Sequence, residues 1–114
     1  MAGVGGAVSD LADRLRGLLT SEPVTEKKMF GGLTFMYEGN LLCGVTKKGD
    51  FMARIGKALE AEARAALPGG RDMDFTGRKM GGMLFVADHV IATDEGLSAW
   101  VEMCLRHARM LPPK

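Results

Sequence analysis

Between Val24 and Ile55 the chain alternates short apolar stretches with turn signals only a few residues long, and that spacing most restricts its topology. Leu33, Phe35 and Tyr37 alternate with Thr34, Met36 and Glu38, the period of a strand with one covered face. Glu38-Gly39-Asn40 and Lys47-Lys48-Gly49-Asp50 carry the residue types that turns require. Leu41–Thr46 and Phe51–Ile55 are the strands beyond them, and Val24–Met29 is a charged first strand suited to an edge. Parallel neighbours need a crossover of about a dozen residues, which these connections do not supply. The region is therefore an antiparallel meander.

Helical patterns flank it. Val8, Leu11, Leu15, Leu18 and Leu19 make one apolar stripe, with Ser9 as its cap and an Asp10–Arg14 pair across one turn. Gly17 weakens such a helix, which points to a close packing contact there. A second helix runs from Lys57 to Leu67 and stops at Pro68-Gly69-Gly70. Arg71–Lys79 is polar and fits no period, with Phe75 as its one large apolar anchor. Met83–Ala87 reads as a fifth strand. Thr93 caps a last helix whose stripe is Leu97, Trp100, Val101, Cys104, Leu105 and Ala108. The expectation is an α+β fold of two layers, a four- to five-stranded antiparallel sheet with helices mainly on one face. Residues 1–8 read as a disordered N-terminus and 9–111 as one domain.

A length of 114 residues with 46% apolar and 25% charged residues suits a single globular domain. The net charge of +1 supplies no overall field for nucleic acid or an acidic surface. Cys43 and Cys104 have no C-x-x-C spacing, no signal-peptide pattern is seen, and no stretch reaches the ~18 apolar residues of a membrane span. The chain is read as cytoplasmic, with reduced thiols and no membrane association. Nine methionines exceed what a core of this size calls for, and methionine serves both as core filler and as adaptable contact surface.

The remaining signal is Lys27-Lys28-Met29-Phe30-Gly31-Gly32, echoed by Arg78-Lys79-Met80-Gly81-Gly82. Gly31 and Gly32 could cradle an anion with backbone amides, or permit a bent, closely packed backbone. No Lys-Ser/Thr follows as in a phosphate loop, and no G-x-G-x-x-G opens a helix, so the structural reading is preferred. On that reading Gly31 or Gly32 holds a conformation other residues resist, and Phe30 packs beneath. Lys27, Lys28, Lys47, Lys48, Arg54, Arg78 and Lys79 could contact phosphates if they converge on one sheet edge. Few aromatics are present to stack bases, which argues against nucleic acid as partner. Cys43, Cys104, His89 and His107 match no metal or nucleophile spacing. The candidate ligand-binding residues are thus Lys28, Gly31, Gly32, Arg54 and Arg78, with no catalytic residue, metal site or cofactor.

Lys28-Met29-Phe30-Gly31-Gly32 followed by Phe35, Gly39 and Leu42 resembles the opening of the TfoX N-terminal domain family. Gly77-Arg78-Lys79-Met80 with Met83–Val86 is similar to its second signature, and Leu97, Trp100 and Ala108 to its closing helix. The resemblance spans about residues 10–110. It implies a two-layer α/β fold like that of type III secretion chaperones and a link to competence regulation, and it carries over no catalytic residue. Longer members place a second helical domain after this one, so a stand-alone domain is expected. The function read from all this is a non-enzymatic regulatory or adaptor module. Its partner would be another protein or a second copy in a homodimer, docked on a sheet face bearing Met36, Met52 or Met83. The alternative is a small-ligand binder or enzyme with a pocket near the glycine turns, marked by convergence of Arg54, Arg78 and Tyr37, or a weak nucleic-acid binder.

Overall fold

The computed structural model describes residues 6–29, 31–75 and 78–113. Helix α1 (Gly6–Leu18) leads into strands β1 (Val24–Met29), β2 (Gly32–Tyr37), β3 (Asn40–Val45) and β4 (Phe51–Arg54). Helix α2 (Gly56–Ala66), strands β5 (Gly70–Phe75) and β6 (Arg78–Val86), and helices α3 (Asp88–Ile91) and α4 (Asp94–Arg109) complete the chain. The sheet order is β1-β2-β3-β4-β6-β5, every neighbouring pair antiparallel. The meander thus occupies one side of the sheet, with β1 at its edge as its charge requires. Helix α2 carries the chain past an open position to the far edge. There β5 forms, and β6 returns into the gap beside β4.

The α+β class and two-layer arrangement are as expected, but the sheet has six strands. Arg71–Lys79, which fits no period, supplies β5 and the start of β6. The backbone ladder runs from Gly70↔Val86 to Phe75↔Arg78, with a bulge between Asp72 and Asp74. Tertiary pairing with β6 overrides a weak local pattern. The anchoring role of Phe75, like the packing of Phe30 and the disorder of residues 1–5, lies outside the described residues and side chains. Helix α1 begins at Gly6, so residues 6–8 are helical and Ser9 lies inside the helix rather than capping it.

Alternation sorts the strands into two faces. Phe35, Cys43, Val45, Phe51, Ala53, Leu84 and Val86 join the main core with Leu11 and Leu15 of α1 and the whole α4 stripe. Trp100 is fully buried over Gly70, and its indole N–H donates to the Pro68 carbonyl at 3.1 Å. Thr93 caps α4 by accepting from the Gly96 amide at 3.0 Å. Two expectations for α1 are corrected. Arg14 reaches Asp94 at 3.4 Å instead of Asp10, because the α4 N-terminus lies beside it. Gly17 faces open space, and Leu18, at the margin of the stripe, is 39% exposed.

Candidate functional site

The first glycine pair sits where two hairpin turns meet. Met29 pairs with Gly32 across the β1–β2 hairpin, and Gly31 has φ +73°. A Cβ at Gly32 would overlap the Val45 carbonyl oxygen and stand 2.8 Å from the Thr46 carbonyl carbon. One at Gly31 would lie 3.2 Å from the Lys47 Cβ. Gly31 is therefore needed for its dihedral angle and Gly32 for its lack of a side chain. The space a ligand would use is filled by β3 and the stem of Lys47. Lys28 lies at this end, pairing with Leu33, and Lys27, Lys28, Lys47 and Lys48 are all exposed.

The second pair organises the opposite end of the sheet. Gly82 has φ +81°, and its carbonyl accepts from the Ile55 amide at 2.9 Å. Its own amide donates to Glu60 Oε1 at 3.1 Å. A Cβ on Gly82 would stand 3.0 Å from Gly56 Cα, and one on Gly56 would strike the His107 ring. Strand β6 thus lies directly on the backbone at the start of α2, and the His107 ring from the last turn of α4 packs against the same glycine. His107 Nε2 is buried there without a hydrogen-bond partner, and burial together with the Arg54 charge holds the imidazole below its usual pKa. Gly56 belongs to neither glycine-pair segment of the sequence. Its only signal was a glycine at a strand-to-helix junction.

Arg54 also lies at this end, paired across the ladder with Met83. The Arg78 backbone lies further along β6, opposite Phe75. The five candidate residues are therefore not one site. Lys28, Gly31 and Gly32 stand at one end, and the Arg54 and Arg78 positions at the other. The basic residues do not converge on one edge, because consecutive hairpin turns of a meander alternate between ends. Tyr37 is buried against the main core, within reach of Arg109.

Cys43 and Cys104 are fully buried, as their places on apolar faces require. Burial pushes the Cys104 thiol up to about 12, opposed by hydrogen bonding from the Arg54 backbone, and pushes Cys43 well above its ordinary value. Neither is a thiolate at neutral pH. Among the described residues no three His, Cys, Asp or Glu side chains stand together to hold a metal.

The face turned away from the main core is the more informative surface. Met52 and Met83 are 0% and 6% exposed and form a separate cluster there with the half-buried Leu41 and Phe85. The expected exposed methionine patch is corrected accordingly. Met52 pairs with Gly44 and its Cε lies 2.8 Å from where a Cβ of Gly44 would stand, so the missing side chain gives it a floor to lie on. Met36 is half-buried and pairs with Leu41 across β2 and β3. Arg71 stacks over Phe85 at 5.3 Å and reaches Asp50 at 3.7 Å.

The family described as TfoX N-terminal domain matches residues 14–108, from the middle of α1 to the end of α4. The chain belongs to this family. Comparison with curated proteins gives no match. The matched span of this TfoX domain contains the whole six-stranded sheet and both glycine signatures. In the TfoX domain seen here, each signature marks a place where one backbone must lie directly on another.

Proposed function

We propose that this chain is a non-enzymatic regulatory module that works through contact with another protein, using the sheet face opposite the helices. Membership in the TfoX N-terminal domain family points to a regulatory, competence-related domain. The observation that carries the finer reading is the second apolar cluster, Met52 and Met83 roofed by Leu41 and Phe85, on a face packed by none of the buried helix residues. A two-layer fold needs only one covered face, and the second one here presents the half-buried Met36, Leu41 and Phe85 over a buried methionine pair. The ligand-pocket alternative loses ground because β3 and Lys47 fill the space around Gly31 and Gly32. Catalysis loses ground because the thiols are protonated and His107 is packed against Gly56.

The test is photo-crosslinking in the source cell with a photoreactive methionine analogue at Met36, followed by mass spectrometry. A discrete crosslinked protein is expected, lost in a folded Phe85→Glu variant and retained in Leu18→Glu. Crosslinks indifferent to Phe85→Glu would reject the surface.

A further inference from the structure

The net charge of +1 conceals an uneven distribution. On the helices the arginines are neutralised, and Lys57 of α2 is the described lysine there without a partner. Arg14 meets Asp94 at 3.4 Å, Arg16 meets Glu26 at 2.7 Å, Arg106 meets Glu62 at 2.7 Å and Arg109 meets Glu22 at 2.9 Å. On the sheet the pattern differs: among the described residues, Lys27, Lys28, Lys47, Lys48 and Arg54 form no ion pair. The described carboxylates left over are the exposed Asp10, Glu38, Asp88, Glu95 and Glu102, all but Glu38 of the β2–β3 turn belonging to helices. Among the described side chains the sheet layer is thus the more positive and the helix layer the more negative.

The register brings this charge to the open face. Lys27 stands opposite Thr34 on β1, Arg54 opposite Met83 on β4, and Arg71 opposite Phe85 on β5, so all three share the face of Met52. Asp50, the carboxylate beside them, is already engaged by Arg71. An apolar centre of Met36, Leu41 and Phe85 is thereby bordered by cations on both sides.

We infer that this face docks an acidic amphipathic protein segment, whose apolar side chains pack on the half-buried Met36, Leu41 and Phe85 above the methionine cluster while its carboxylates meet Lys27, Arg54 and Arg71. The inference rests on the open-face reading above and adds the chemistry of the partner. Three features select this occupant. A second copy laid face to face would oppose like charges, which disfavours self-pairing. A nucleic acid would need stacking platforms, and among the described side chains the face offers Phe85 alone, already covered by Arg71. Lysine and arginine at the border of an apolar patch steer an acidic partner and fix its orientation.

The test uses the full chain with methyl-labelled methionine and three synthetic probes: acidic amphipathic peptides, their uncharged counterparts with Gln for Glu, and single- and double-stranded oligonucleotides. The acidic peptides are expected to bind and to shift the Met36, Met52 and Met83 methyl signals while leaving Met110 in place. Binding weakens with added salt, about fivefold in Lys27→Glu and about fivefold in Arg54→Glu, and by less in Lys27→Gln and Arg54→Gln. Leu18→Glu on the helix layer leaves it unchanged. If the uncharged peptides bind equally and shift the same methyls, the face is a docking surface and the acidic partner is wrong. Preferential oligonucleotide binding, or methyl shifts that depend on chain concentration alone, also overturns the inference. If no probe moves those three methyls, both the inference and the open-face reading fall.

Discussion

Replacing Gly32 by Ala tests whether the first glycine pair is a folding device. The new methyl would overlap the Val45 carbonyl oxygen and stand 2.8 Å and 2.9 Å from two backbone carbonyl carbons, so no side-chain rotation relieves it. Either β2 and β3 separate at the Leu33↔Val45 pair or the hairpin turn shifts. Forced overpacking costs about 1–3 kcal/mol, and each ladder hydrogen bond lost adds about 1 kcal/mol. Loosening Val45, fully buried in the core, adds to that. The sum is about 3–4 kcal/mol, a large part of the 5–15 kcal/mol typical of a domain. Gly31→Ala faces a φ of +73° but meets the flexible Lys47 side chain, so about 1 kcal/mol is expected. The assay is urea unfolding followed by fluorescence of Trp100, the sole tryptophan and fully buried. A Gly32→Ala protein within about 1 kcal/mol of the parent, or one less damaged than Gly31→Ala, would refute the account.

Gly17→Ala should stabilise by about 0.5–1 kcal/mol in the same assay, since a Cβ there meets nothing within 4 Å. Cys43 and Cys104 should resist a thiol reagent in the native protein and react together on unfolding; rapid native labelling of either would show an access route. The depressed pKa of His107 means the unfolded chain takes up that proton first as pH falls. Stability should therefore be complete above the ordinary histidine pKa of about 6.5 and decline below it, until the folded group also titrates. His107→Gln should flatten this part of a melting-temperature profile, and an unchanged slope would assign it elsewhere.

The parts legible in the sequence are those where one signal repeats. Helix α4 was readable because its stripe runs through four turns with a cap at its start. The meander was readable because its turns are too short for any other connection. The β5–β6 hairpin was not, since Met73 and Phe75 alternate with Asp72 and Asp74 for too few residues to outweigh the charges around them. The candidate site fared less well. Which end of a sheet a residue occupies depends on how many hairpins precede it, and Arg54 and Lys28 share a composition class without sharing a place. The charge of the two layers was equally hidden, because summing over the chain cancels what the fold separates. Gly17 and Arg14 mislead for a simpler reason: a helix seen alone gives no account of its neighbours.

The late insertion of β6 has a consequence for how the chain is made. Synthesis delivers β1 to β4 first, and until β6 arrives the inner edge of β4 has no partner. Phe51, Met52 and Ala53, all fully buried in the finished domain, lie on that edge strand. A nascent chain ending anywhere before Val86 therefore exposes an apolar strand with a free row of amides and carbonyls, the template on which chains join one another. The interval between translation of β4 and of β6 is when this domain is most exposed to aggregation, and the time a chaperone has most to contribute.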